Sequence, residues 1–149
     1  MVDVRQGVLD KAYIRLGCES VGRDEAIKAA GQLLVERGIV TPDYVAAMLE
    51  REETVSTYLG NGVSLPHGTH AAKSEVLGTG IVVLQYPDGV EWPNGTAHLV
   101  IGLAAANEDH VVVLSQLAEV LQDEDLAAEL AKSADVDFVY ATLAGSDEG

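Results

Sequence analysis

Two of the four histidines lie where an imidazole can handle an anionic group. The first is His67, in Leu65-Pro66-His67-Gly68-Thr69. Pro66 fixes its own φ and holds Leu65 extended, so a rigid strand leads to the ring. Gly68 has no Cβ and so admits a bulky anion beside the backbone. Thr69 is placed to cap a helix expected to start near His70, whose first-turn amides point into the same space. These surroundings suit phosphoryl acceptance by a neutral imidazole, with one ring nitrogen as nucleophile and the other N–H held by an acceptor. The second is His110, in Ala106-Asn107-Glu108-Asp109-His110, at the start of a helix that follows the most hydrophobic strand. That is the sheet edge at which α/β proteins build sites. A helix N-terminus disfavours imidazolium, so a neutral His110 can donate an N–H to a phosphoryl oxygen, and Asn107 can orient either ring.

Taken singly these signals are weak. A lone Pro-His-Gly-Thr is more often a turn than a site, and a lone His110 is more often a surface residue near a cap. His67 and His70 at i, i+3 offer two metal ligands, but no third stands nearby in sequence, so neither a metal nor a cofactor is expected. His98 lies inside an apolar strand and reads as structural. Cys18, the single cysteine, excludes an internal disulfide and a cysteine-based metal cluster. With no basic neighbour to lower its pKa it reads as an incidental small residue.

The elements that must position these residues follow from periodicity and breakers. Residues 8–16 alternate in part and predict a strand ended by Gly17. Ala26, Ile27, Ala30, Leu33 and Leu34 predict a helix over 23–37, stopped by Gly38. Thr41 as N-cap and Pro42 at the first helical position predict a second helix to about residue 50, with Tyr44, Val45, Met48 and Leu49 inward. From 52 to 69 the glycines and Pro66 predict irregular chain, followed by a short helix over 70–76. Residues 80–86 read as a buried strand closed by a Pro87-Asp88-Gly89 turn. Pro93-Asn94-Gly95 is another turn, and 97–105 is expected to be the central strand. Asn107-Glu108-Asp109 is expected to cap a helix over 110–121, with Leu114, Leu117, Val120 and Leu121 inward. Helices from Asp123 to about Lys132 and over 135–143 complete the chain. Strands alternate with helices without repeat or linker. The expected architecture is α/β, one domain over 1–149, with a mixed central sheet and helices on both faces.

Composition bounds the partners. Hydrophobic residues make up 48% and charged residues 22%, an ordinary globular balance. No apolar run approaches the roughly 20 residues of a membrane helix, and the N-terminus lacks the pattern of a signal peptide. A cytoplasmic protein without membrane insertion is expected. A formal net charge of -15 argues against nucleic acid and anionic membranes, which demand clustered Lys and Arg. Attraction to a basic patch on another protein is permitted. Solubility or adaptation to a salty cytosol also accounts for acidity of this kind.

Several stretches, in this order and spacing, carry a resemblance. They are Ala47-Met48-Leu49-Glu50-Arg51-Glu52, Thr57-Tyr58-Leu59-Gly60, Pro66-His67-Gly68-Thr69, Gln85-Tyr86-Pro87-Asp88-Gly89-Val90 and Leu99-Val100-Ile101-Gly102, followed by His110. Over roughly residues 8–144 the chain resembles the mannitol/fructose-type enzyme IIA domains of the sugar phosphotransferase system. The mannitol branch is the most similar, mainly through Thr57-Tyr58-Leu59-Gly60 and Gln85-Tyr86-Pro87. The resemblance implies a phosphotransferase in which His67 accepts phosphate from phospho-HPr and passes it to a cysteine of enzyme IIB, for mannitol uptake. It implies that His110, itself not phosphorylated, steadies the phosphoryl group and that Arg51 offsets its charge. Gly68, Thr69 and Asn107 would form the phosphate environment. A phosphoryl group adds about -1.5 to -2 charge, so local cationic or N–H compensation is needed on so acidic a protein.

Two features depart from the mannitol pattern: His70 stands where an apolar residue is usual, and the 91–95 segment is shorter than in some relatives. No cysteine with a phosphate loop and no membrane segment occur, so separate IIB and IIC partners are expected, and a monomer is favoured. A fructose- or other polyol-specific IIA is a neighbouring alternative. A nitrogen-type regulatory IIA, binding proteins according to its phosphorylation state, is a more distant one. A metal-binding or purely structural domain would leave the set of motifs unexplained.

Overall fold

The computed structural model describes residues 9–54, 56–68, 74–105 and 109–144. Ten elements follow one another: β1 (Leu9–Arg15), α1 (Arg23–Glu36), α2 (Asp43–Thr54), β2 (Tyr58–Gly60), β3 (Val63–Ser64), β4 (Gly80–Trp92), β5 (Gly95–Ala104), α3 (Asp109–Leu121), α4 (Glu124–Lys132) and α5 (Val136–Ala144). The five strands form one mixed sheet in the order β1-β4-β5-β3-β2. β4 and β5 are antiparallel, β1 runs parallel to β4 and β3 parallel to β5, while β2 pairs antiparallel with β3. The strand read as most hydrophobic, β5, is the middle one, and its residues from Leu99 to Ala104 are buried.

Alternation along β4 and β5 sends side chains into two cores, one on each face. Ile81, Val83, Leu99, Ile101 and Leu103 pack with Val113, Leu117, Leu121, Leu130 and Val139 from α3, α4 and α5. Val82, Leu84, Val100 and Ala104 pack with Ala26, Ile27, Ala30, Leu34, Tyr44 and Met48 from α1 and α2. The second core is closely spaced. A Cβ at Gly102 would lie 3.0 Å from that of Ala30, and one at Gly31 would lie 2.9 Å from Val45.

The stop read at Gly38 is observed, and further end signals accompany it. Asp24 and Glu25 complement the positive end of α1, and Gly38 at φ 81° ends it. There the Gly38 N–H bonds to Val35 and the Ile39 N–H to Leu34, closing a Schellman motif. Asp123 caps α4 by accepting the Leu126 N–H at 3.1 Å.

Four expectations need correction. The strand after Gly80 does not end at Pro87. It continues to Trp92 through a register shift between Gln85 and Val90, where the missing N–H of proline is tolerated. The stretch after Glu52 holds two short strands, β2 and β3, joined by a turn in which Gly60, Asn61 and Gly62 all have positive φ. Thr41 does not cap α2 through its side chain, because its hydroxyl bonds to the Glu75 carboxylate; the helix also runs on to Thr54. Helix α3 begins at Asp109, one residue earlier than read, and buries Val113 as well. Most of the helix expected over 70–76 lies outside the described residues. In its described part, Val76 makes an isolated bridge to Val40.

Candidate active site

His67 lies where the chain leaves β3 and meets the carboxyl end of β5. Its backbone makes a parallel bridge to Leu103, and the Leu103 N–H donates to the Pro66 carbonyl at 3.0 Å. Leu65 and Pro66 are buried and the His67 ring is half-buried, so the rigid approach expected from Pro66 ends at a ring near the surface. The Nδ1 atom lies 2.9 Å from the Leu65 carbonyl oxygen. A carbonyl can only accept, so Nδ1 carries the proton and Nε2 carries the lone pair. The tautomer of the ring is therefore set by its own local backbone.

Gly68 meets a packing requirement that the sequence did not disclose. A Cβ there would lie 2.6 Å from Cε1 and 2.9 Å from Cζ of Tyr44, so the place a side chain would take is filled by a phenol ring. The Gly68 N–H donates to the Tyr44 hydroxyl at 2.8 Å, and that hydroxyl donates to the Leu103 carbonyl at 2.9 Å. Tyr44 thus staples the residue after His67 to the strand residue that His67 bridges. Burial pushes the Tyr44 hydroxyl above its ordinary pKa, partly offset by the Gly68 hydrogen bond, so it remains a donor at neutral pH.

Arg51 stands in the last turn of α2, half-buried, where a cation also complements the negative end of the helix. Beside it, Glu52 is buried and accepts hydrogen bonds from Thr57 and Trp92. The backbone of His110 occupies the first turn of α3, which begins shortly after the carboxyl end of β5. The chain path thus brings that helix start to the sheet end that carries His67. Thr69, His70 and Asn107 lie outside the described residues. Sequence reasoning missed Tyr44, Glu52 and Thr57 as parts of the site; Tyr44 was read only as an inward helix residue. Cys18 is half-buried, with its thiol pushed up by burial, which is not the setting of an activated nucleophile. No group of three or more His, Cys, Asp or Glu able to hold a metal occurs among the described residues.

The fold is thus a mixed α/β sheet with helices on both faces and, at the carboxyl end of β5, an imidazole held in one tautomer. Residues 7–146 match the family described as phosphoenolpyruvate-dependent sugar phosphotransferase system, EIIA 2, and the chain belongs to that family. A mannitol-specific phosphotransferase enzyme IIA component of Bacillus subtilis is 48% identical over 119 residues, covering 79% of this chain and 83% of that protein. The mannitol-specific EIICBA component of Pasteurella multocida is 47% identical over 140 residues, covering 91% of this chain. The chain spans only 22% of that longer relative. Among solved structures, a complex of enzyme IIA and phosphorylated enzyme IIB for mannitol from Escherichia coli aligns with a TM-score of 0.84 at 45% identity, covering 90% of this chain and 95% of that one. Among the described residues no helix is long and apolar enough to cross a membrane.

Proposed function

We propose that the chain, acting as one unit over 1–149 in the cytoplasm, carries phosphoryl groups on Nε2 of His67 for the uptake of mannitol. The observation that carries this reading is the Nδ1–H bond to the Leu65 carbonyl, which leaves the lone pair on Nε2. The Nε2 pair attacks the phosphorus of phospho-HPr. An N–P bond forms, the donor N–P bond breaks, and its electrons return to the donor imidazole. Throughout, Nδ1 keeps its proton on Leu65, so the accepting step requires no proton transfer at this residue. While phosphorylated the ring is cationic, which strengthens its bond to the carbonyl and keeps it a good leaving group. A thiolate of enzyme IIB then attacks phosphorus, an S–P bond forms, and the electron pair returns to Nε2.

Arg51 and His110 are assigned to the phosphoryl oxygens, Arg51 as a cation and His110 as a neutral N–H donor, with Thr69 and Asn107 completing the donors. Gly68 lies beside the reacting ring in the phosphate environment and, having no Cβ, also admits Tyr44. Mannitol is favoured over fructose, other polyols or a nitrogen-type regulatory role by the similarity to mannitol-specific relatives, at 48% and 47% identity.

The test is incubation with enzyme I, HPr and phosphoenolpyruvate, followed by mass spectrometry and transfer to a mannitol IIB domain. Acid-labile phosphate is expected on His67, absent from His67→Ala and discharged by IIB. Label elsewhere, or label that the IIB domain does not remove, would contradict the assignment.

A further inference from the structure

Behind the His67 approach stands a buried polar cluster that the chemistry above does not use. Glu52 is 4% exposed, Thr57 7% and Trp92 5%. Oε2 of Glu52 accepts the Thr57 backbone N–H at 3.0 Å and the Trp92 Nε1–H at 2.8 Å, and Oε1 accepts the Thr57 hydroxyl. A carboxylate withdrawn from water this far persists only with such donors around it. An apolar residue in its place would leave the Trp92 indole N–H and the Thr57 backbone N–H buried without that acceptor, while the Thr57 hydroxyl would keep only Ser64 Oγ at 3.3 Å.

The contacts continue towards the ring. The Leu65 N–H donates to the Thr57 carbonyl at 3.0 Å, and the Leu65 carbonyl accepts Nδ1–H of His67 at 2.9 Å. An unbroken series of hydrogen-bonded residues therefore runs from Glu52 through Thr57 and Leu65 to His67. Glu52 is also the next residue after Arg51 on the last turn of α2.

We propose that Glu52 is a positioning residue for phosphoryl transfer. It fixes the Leu65 carbonyl that holds His67 in its Nδ1–H tautomer, and through the same side chain it anchors the turn that carries Arg51. The kinetic half of this inference rests on the transfer reading above, whereas the effect on the ring is visible in the unphosphorylated protein. The ring is neutral before reaction and cationic while Nε2 carries phosphorus, so the Nδ1–H bond matters more in the reacting complex than in the docked one. Loss of alignment should therefore fall on kcat and spare KM.

The experiment uses Glu52→Gln and Thr57→Val in the full chain. Glu52→Gln keeps the volume but replaces an acceptor with a donor, and Thr57→Val removes the hydroxyl that reaches Oε1. In wild-type protein, 15N NMR of the His67 ring is expected to report the Nδ1–H tautomer. In either variant the signals should move towards a mixture with Nε2–H. The kcat for transfer from phospho-HPr should fall about tenfold, or ~1.4 kcal/mol, at unchanged KM. The double variant should be no slower than Glu52→Gln alone, because both changes break one path. Unchanged ring signals and unchanged kcat, with only a lower melting temperature, would overturn the proposal and leave Glu52 a purely stabilising residue. Should Glu52→Gln fail to fold, Thr57→Val carries the same test. A wild-type protein that takes no phosphate on His67 defeats the transfer reading, while a tautomer shift in the variants still upholds the positioning.

Discussion

The sheet holds two histidines by the same kind of hydrogen bond: Nδ1 of His67 donates to the Leu65 carbonyl at 2.9 Å, and Nδ1 of His98 donates to the Tyr86 carbonyl at 3.2 Å. Both rings are thereby set in one tautomer, yet their surroundings differ. His98 lies within β5, opposite the register shift of β4, with its ring against Gly62 and Gly89. It borders a cavity of about 550 Å³ at the amino end of β5, together with Pro87 and Lys132. His67 lies at the other end of that strand, on backbone held by Tyr44 on one side and by the Glu52–Thr57 pair on the other. One carbonyl is enough to choose a tautomer. The backbone on either side of His67 carries, in addition, side-chain hydrogen bonds from Tyr44 and the Glu52–Thr57 pair.

Gly68→Ala attacks that difference hardest. Its new Cβ would meet the Tyr44 ring at 2.6 Å, which calls for a shift of either the ring or the His67 segment. Overpacking of this kind costs about 1–3 kcal/mol, and a drop of that size in urea-unfolding stability is expected, together with at least tenfold slower phosphoryl transfer. Wild-type stability in this variant would mean that Tyr44 yields easily and does not clamp the site.

Tyr44→Phe is milder. It removes one hydroxyl and leaves the Gly68 N–H and the Leu103 carbonyl without that partner, a loss of about 1–2 kcal/mol. Transfer should slow several-fold and amide exchange at Gly68 should quicken. An unaltered Gly68 exchange rate would show that the staple does not restrain the backbone.

His98→Gln should have the smallest effect on chemistry. Its ring packs between the Gly62 turn and Gly89 of β4, so stability is expected to fall while the rate of transfer from phospho-HPr stays within about twofold of wild type, a change well under 1 kcal/mol in barrier. A tenfold loss of rate would erase the contrast between the two histidines.

Much of the frame was legible because it depends on local rules. The spacing of Ala26, Ile27, Ala30, Leu33 and Leu34, the stop at Gly38 and the helix start near Asp123 each act within one helix, and β5 announced itself by its apolar run from Leu99. β2 and β3 escaped because they are three and two residues long and set among turn-forming glycines. The far half of β4 escaped because Pro87 reads as a turn wherever a register shift cannot be foreseen. At the site, Pro66-His67-Gly68 was a weak signal alone and stood out only within the ordered set of family-like stretches. Tyr44 did not, since an inward aromatic at helical spacing reads as core, and its partners Gly68 and Leu103 are distant in sequence. Glu52 was hidden for the same reason: its acceptor role towards Trp92 exists only once β4 is extended and folded back.

The most direct measurement is the site of phosphorus on the ring, read from one-bond and long-range 31P–15N couplings in protein labelled from phospho-HPr. Phosphate on Nε2 of His67, with Nδ1 still protonated and bonded to the Leu65 carbonyl, is the predicted result. Phosphate on Nδ1, which would require that bond to break, would contradict the proposed route.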